Sequence, residues 1–278
     1  MKNISELETG TRQLLAHIHG KVGILTLNRP EAKNALSDDL TPALRKKIAE
    51  LNDDNRVTSM IITGSGDAFC AGGDVKSMNR SKDDKGWTEE KTEAETIKDL
   101  QKKQITLTSA LYNFNKPTIA VLPGAAAGAG LSIALSCDFR FASDNAFAIA
   151  GYGRIALTGD YGITWLLTKL IGPSKAKDML FSNRKVFAEE GLNIGIFDKI
   201  YSAKDLLKES IEYAKIIGSF SPVALKAMKK NINNSSEINL VEALDQEAVD
   251  LIKASKSKDH KEGIKAFVEK RKPQFTGN

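Results

Sequence analysis

Two runs of very small residues, each set directly behind a short β-branched segment, constrain this chain more than any other feature. The first is Ala68-Phe69-Cys70-Ala71-Gly72-Gly73-Asp74-Val75, after a buried-strand pattern at 59–63. The second is Gly124-Ala125-Ala126-Ala127-Gly128-Ala129-Gly130-Leu131-Ser132, after a strand pattern at 118–122. Residues this small let a turn approach another backbone or a ligand closely, and they leave main-chain amides facing outward. Two such turns brought together would bind an oxyanion. Taken alone, they read equally well as turns packed tightly on strands.

The rest of the pattern is that of an α/β protein with a helical end. Apolar and polar residues alternate over 14–28 around Gly20-Lys21, which predicts an antiparallel hairpin. Ser37 can cap a helix running to about residue 52, because Leu40, Ala43, Leu44, Ile48 and Leu51 recur behind it at helical spacing. A polar loop at 79–86 and a long surface helix at 88–114 are expected next. Further strands fit 138–142, 147–149 and 199–201, with helices at 162–170 and 173–182. Beyond residue 205 only helical patterns remain, at 206–217, 223–231, 240–253 and 258–270. The expected division is a body over 1–205 and a helical, oligomerising region over 206–278. A chain of 278 residues buries about three quarters of its unfolded surface, so the body can hold a large core.

Composition removes several function classes. With 41% hydrophobic and 27% charged residues, and no apolar stretch of the roughly 20 residues a bilayer span requires, neither disorder nor a membrane role is expected. The amino-terminal stretch lacks an apolar h-region, which predicts a cytoplasmic protein. Cys70 and Cys137 are too few for a disulfide framework and are expected as reduced thiols. His17, His19 and His260 stand near no nucleophile, no metal-ligand spacing occurs, and Gly-x-Ser-x-Gly and P-loop patterns are absent. A dinucleotide turn at Gly128-Ala129-Gly130 fails because Ile133 occupies the place of its third glycine. The net charge of +5 favours anionic partners, but the basic residues of the tail are interleaved with acids, as on a solvated face, so no nucleic-acid partner is expected.

The segment Leu27-Asn28-Arg29-Pro30-Glu31-Ala32-Lys33-Asn34-Ala35-Leu36, both small-residue turns, Cys137-Asp138, and the closing Glu262-Gly263, Ala266-Phe267, Lys270-Arg271, Pro273 and Phe275 together resemble the crotonase (enoyl-CoA hydratase/isomerase) superfamily. Their order and spacing match over nearly the whole chain. The resemblance implies a crotonase-like spiral of ββα units with a C-terminal helical region, assembly as a homotrimer or hexamer, and an acyl-CoA thioester substrate, with no cofactor expected because coenzyme A is part of that substrate. It implies an oxyanion hole made by the backbone amides of Gly73 and Ala129. It also places Lys33, Ala35, Ala71, Gly72 and Asp74 along the coenzyme.

Two departures from the family pattern bear on the reaction. Where hydratase members carry a pair of glutamates, this chain has Ser132 and Tyr152, and neither ionises readily near neutral pH. A carboxylate is supplied instead by Asp160 in Thr158-Gly159-Asp160-Tyr161-Gly162, as in superfamily isomerases and aryl-CoA dehalogenases. From the residues alone Asp160 is a good helix N-cap; from the resemblance it is the acid/base of an enoyl-CoA isomerase, with Tyr152 and Tyr161 shaping the acyl pocket. Three alternatives remain: a hydratase with atypical acid/base residues, a dehalogenase or thioester hydrolase using Asp160 as nucleophile, and a non-catalytic CoA-ester-binding or RNA-binding protein.

Overall fold

A computed structural model of the chain describes residues 4–74 and 91–278. The loop expected at 79–86 and the start of the helix expected at 88 lie outside the described residues.

Strands β1 (Ile4–Glu6), β2 (Leu14–His19) and β3 (Val22–Leu27) pair antiparallel, with the expected hairpin closing on Gly20-Lys21 through the His19 to Val22 register. Beyond β3 the sheet continues parallel through β4 (Ser59–Gly64), β6 (Thr118–Leu122), β8 (Phe139–Ser143) and β11 (Lys199–Tyr201). Side chains alternate across it. Val22, Ile24, Ile61, Ile119, Val121 and Phe141 enter one core cluster, whereas Leu25, Leu27, Met60, Ile62, Ala120 and Leu122 enter the other. Both faces are covered, which is why these strands read as continuous apolar runs.

The structure corrects the reading of both small-residue runs as turns alone. Each contains a three-residue strand, β5 (Ala68–Cys70) and β7 (Ala125–Ala127), and these belong to a second sheet with β9 (Phe147–Ile149) and β10 (Val186–Phe187), in the order β10-β9-β7-β5. Segments of three residues, Ala-Phe-Cys and Ala-Ala-Ala, are too short to hold as strands alone, so their pairing with one another and with β9 is what makes them strands. The chain therefore runs three times from the large sheet to the small one and into a helix. β4 and β5 precede α2 (Glu93–Gln104), β6 and β7 precede α3 (Ala129–Leu135), and β8 and β9 precede α4 (Ile163–Ser182).

Helix α1 (Leu40–Asp53) starts where expected, with Ser37 Oγ accepting from Leu40 N at 3.0 Å. α2 is shorter than the expected 88–114 helix. Its capping box on Thr92 fixes the start, and after Gln104 the backbone widens into a π-helical stretch, Ile105–Ser109, that runs on to Tyr112. The two helices expected on either side of residue 172 are the two halves of α4, which Gly172 kinks at φ 78° and ψ 162°.

Helix α5 (Ala188–Ile194), unforeseen in the sequence, precedes β11. Helix α6 (Leu206–Ile217) closes the outer face of the large sheet, burying Leu206 and Ala214 against Val22, Ile61 and Phe141, and Ser59 Oγ donates to Ala214 O at 2.9 Å. α7 (Pro222–Asn234), α8 (Leu240–Ser255) and α9 (Lys258–Val268) follow. Lys229 on α7 ties this tail to the body through Asp138 Oδ2 at 2.9 Å.

One contact fixes α3 against the small sheet. A Cβ at Gly130 would lie 2.3 Å from Cys70 O and 2.7 Å from Cys70 Cβ, so helix and strand touch backbone to backbone. Gly130→Ala should therefore destabilise the protein by about 1–3 kcal/mol or more, the cost of overpacking a site whose neighbours are main chain. Gly263, inside α9, has only Phe275 ring carbons at 3.5 Å or more. Gly263→Ala should stabilise by about 0.4–1 kcal/mol, and urea unfolding of the two variants beside wild type checks both signs.

Candidate active site

The Arg-Pro segment is the scaffold on which the first glycine turn is hung. Lys33 and Asn34 are left-handed, at φ 50° and 57°, and this turns the fully buried Asn34 side chain inward. Its Oδ1 accepts from Arg29 N at 2.8 Å, and its Nδ2 donates to Ser65 O and Ala68 O at 2.9 and 2.8 Å. The following residues pair with the turn: Ala71 N donates to Lys33 O at 2.9 Å and Leu36 N to Gly72 O at 2.8 Å. Arg29 closes the far side, donating to Ala35 O at 2.6 Å and pairing with Asp74 Oδ2 at 3.0 Å. Leu36 thus pairs with this strip through the Gly72 carbonyl, not through the Gly73 N–H.

The second turn meets the first at Gly72. There φ is +90°, and a Cβ would sit 2.8 Å from Ala127 O and 3.4 Å from Ala129 N. Only glycine accommodates both the conformation and the approach. Gly128, at φ 53° and ψ −128°, turns the chain from β7 into α3, so Ala129 is the first helical residue and its N–H has no intrahelical acceptor. The two turns expected to converge do so, and the Gly73 and Ala129 amides belong to the two abutting strips.

Asp160 does not cap α4. The cap position is Gly162 and carries no side-chain cap bond, so the N-cap reading is corrected. The left-handed Tyr161, at φ 51°, and Gly162, at φ 79°, offset the chain before the helix starts. Asp160 Oδ1 instead accepts a 2.5 Å hydrogen bond from the Tyr152 hydroxyl. Ser132, wholly buried on α3, has its Oγ within 3.4 Å of Gly128 O and 3.3 Å of Asp160 O, and both acceptors are main-chain carbonyls. Burial pushes the Asp160 carboxyl above the usual carboxylate range, and the Tyr152 hydrogen bond partly offsets this. Burial, with the Asp160 charge beside it, holds the Tyr152 hydroxyl well above its ordinary value, so Tyr152 stays protonated. Both cysteines are buried free thiols pushed up to about 12 by desolvation, which makes neither a nucleophile.

The two glycine turns, Tyr152, Asp160 and Tyr161 open on one cleft of about 520 Å³. Of the residues expected at the site, Ala71, Gly72, Gly73, Asp74, Ala129, Tyr152 and Asp160 line it. Lys33 and Ala35 do not. The Lys33 ammonium reaches both oxygens of Asp67 at 2.7 Å on the exposed side of the turn, and Ala35 is buried. The rest of the lining includes Arg45 from α1, Lys103 from α2, Arg154 from the turn after β9 and Tyr161 from the loop before α4. Sequence reasoning missed Arg45 and Lys103, since a cation on an amphipathic helix carries no mark of the cleft it borders. Among the described residues, no cluster of His, Cys, Asp or Glu is suited to a metal ion, and no helix is long and apolar enough to cross a membrane.

Known proteins resemble this chain in sequence and fold. A family model described as enoyl-CoA hydratase/isomerase matches residues 17–278. The short-chain-enoyl-CoA hydratase of Clostridium acetobutylicum is 33% identical over 91% of this chain and 93% of its own length. The crotonyl-CoA hydratase of Syntrophomonas wolfei is 34% identical over 92% of this chain and 94% of its own. Among solved structures, an enoyl-CoA hydratase from Polaromonas superposes with a TM-score of 0.85 at 29% identity, covering 94% of this chain and 99% of that one. An enoyl-CoA hydratase from Bacillus anthracis gives 0.84 at 28%, covering the whole of both chains. By sequence and by its strand order, paired turns and helical tail, the chain belongs to the enoyl-CoA hydratase/isomerase family and has the crotonase fold.

Proposed function

We propose that this protein isomerises an acyl-CoA thioester through an enolate, with Asp160 as the single mobile acid/base. The observation that carries the reading is the Asp160 carboxyl at the cleft, with a protonated Tyr152 hydroxyl on one oxygen and the non-ionising Ser132 beside it. The thioester oxygen would lie between the Gly73 and Ala129 amides, as the family resemblance implies. Two such donors favour the charge that develops on that oxygen, and losing one typically costs about 2.7–4 kcal/mol of transition-state stabilisation. With the enolate held there, Asp160 Oδ2 takes a proton from one substrate carbon and returns it to another. Tyr152 keeps its own proton and orients the carboxylate through Oδ1. The chemistry calls for no cofactor beyond the substrate's coenzyme.

Hydration is the second reading, favoured by the relatives named hydratases at 33–34% identity. It would need a group to activate water besides Asp160, and the Ser132 hydroxyl, which does not ionise near neutral pH, lies among the Gly128 and Asp160 carbonyls and the Tyr152 hydroxyl. Mass spectrometry separates the two. An isomerase conserves substrate mass in ordinary water and exchanges an α or γ hydrogen in deuterated solvent, whereas a hydratase product gains one water. Asp160→Asn, which keeps the oxygen facing Tyr152, should lower turnover by about 10²- to 10⁴-fold. Because the folded-state pKa of Asp160 is raised, ionisation costs stability that is fully present below the unfolded value and lost as pH rises through the folded one. The Asn variant should therefore unfold at pH 7 no earlier than wild type. Turnover equal to wild type in a folded Asp160→Asn protein would remove the residue from the mechanism.

The same linkage predicts a pH profile. Rate should fall on the acid side as Asp160 takes up a proton, at a pH above the roughly 3.9 of an ordinary aspartate. The hydrogen bond from Tyr152 lowers the Asp160 pKa, so Tyr152→Phe should move this acid limb to higher pH. An unmoved limb in kcat/KM profiles would assign it to another group.

We further propose the homotrimeric or hexameric assembly expected of the family. Its support is the apolar surface of the tail, where Leu240, Leu251 and Phe267 are 73%, 69% and 86% exposed. Light scattering on the full chain should give three or six times the monomer mass, and a monodisperse active monomer would overturn the assignment.

A further inference from the structure

We infer that the cleft is built for an acyl group that itself ends in a carboxylate, so that the substrate is the coenzyme A monothioester of a dicarboxylic acid, with Arg45 and Lys103 as the specificity residues. The inference rests on the acyl-CoA reading above and adds the chemistry of the acyl chain.

It starts from a cation whose hydrogen-bonding capacity is not met. Arg45 lies on the cleft wall, yet among the described residues it forms no ion pair. Its Nη2 reaches only the Tyr161 hydroxyl at 3.4 Å, and its Nε is enclosed without an acceptor. A partly buried guanidinium in that state has lost hydration without gaining a counterion, which proteins ordinarily avoid. The acids around it are otherwise engaged. Asp99 pairs with Lys91, Asp74 with Arg29, and Asp160 holds the Tyr152 hydroxyl. Asp38, exposed ahead of α1, lines the same cleft and makes no ion pair with Arg45.

Position indicates which part of a substrate would supply the missing anion. Tyr161, the residue next to Asp160, joins Arg45 through its hydroxyl and α2 through its backbone, since Gln104 Oε1 accepts from Tyr161 N at 3.0 Å. Lys103, adjacent to Gln104 and exposed, adds a second cation to this wall. Apolar side chains of Leu100, Ile155 and Leu157 line the same cleft. An acyl chain whose thioester sits at the glycine turns therefore passes Asp160 along an apolar wall and meets Arg45 beyond it. A planar guanidinium matches a carboxylate with paired hydrogen bonds, and an ammonium beside it adds point charge.

Binding of saturated thioesters, which cannot be isomerised, tests this apart from catalysis. Calorimetric titration of the full chain would compare succinyl-, glutaryl- and adipyl-CoA with butyryl-, valeryl- and hexanoyl-CoA. At one chain length or more, the diacid thioester should bind about ten- to a hundredfold tighter, the worth of a charged hydrogen-bonded pair. Arg45→Gln should bring that ratio close to one. Lys103→Gln, at an exposed position that leaves folding alone, should reduce it several-fold. A ratio near one at every length, with both series binding, overturns the inference and leaves the proposed function standing. Equal weakening of both series in the variants also overturns it, by placing these cations on the coenzyme's phosphates. Failure of every thioester and of free coenzyme A to bind overturns the acyl-CoA reading and this inference with it.

Discussion

The contact on which the site depends is main chain against main chain, where the strip through Gly72 lies on the turn from β7 into α3. At Gly72 the missing Cβ leaves room for Ala127 O and Ala129 N, and at Gly130 it leaves room for Cys70 O. These two approaches hold β5, β7 and α3 at backbone distance. Side chains of ordinary size would separate them by several ångströms, and the Gly73 and Ala129 amides could then not serve the one oxygen that the proposed function assigns to them. The small sheet exists for the same reason, because its three-residue strands have too few hydrogen bonds to be stable apart. Their pairing is reinforced by Asn34, which accepts from Arg29 N within the Arg-Pro loop and fastens that loop to Ser65 O and Ala68 O with two hydrogen bonds.

That dependence explains what the sequence disclosed. Long-range apolar strands and amphipathic helices were legible because burial on both faces leaves continuous or periodic patterns, as at Ser59–Gly64 and Leu206–Ile217. The short strands β5 and β7 were not, since three residues flanked by glycine turns show no strand pattern and become extended only through partners elsewhere in the chain. The ββα repetition was hidden as well. Its units begin at residues 59, 118 and 139, so no fixed period marks them. Lys33 was placed along the coenzyme by the resemblance alone, and locally its ammonium turns outward to meet the Asp67 carboxylate.

Asp160 was ambiguous in sequence because one side chain suits two roles. A short acidic residue ahead of a helix normally finds unsatisfied N–H groups and caps them. Here the left-handed Tyr161 and Gly162 intervene. The carboxyl is then free of the helix and falls within reach of the Tyr152 hydroxyl, whose position depends on the separate turn after β9. No local pattern could reveal that meeting.

The same geometry sets function against stability. A capping aspartate is stabilised by ionisation, since helix amides complement its charge. The aspartate of this cleft is destabilised by ionisation, with desolvation outweighing the single hydrogen bond it accepts. Fold stability alone therefore gives no reason to keep an acid here, and an amide could accept the same bond from Tyr152. What the carboxyl adds is a proton affinity moved toward neutrality, which under the proposed isomerase reading would let one group both take a proton from carbon and give it back. Ser132, whose hydroxyl lies 3.3 Å from the Asp160 carbonyl, adds no charge of its own, so the raised pKa of Asp160 comes from desolvation and not from like-charge repulsion.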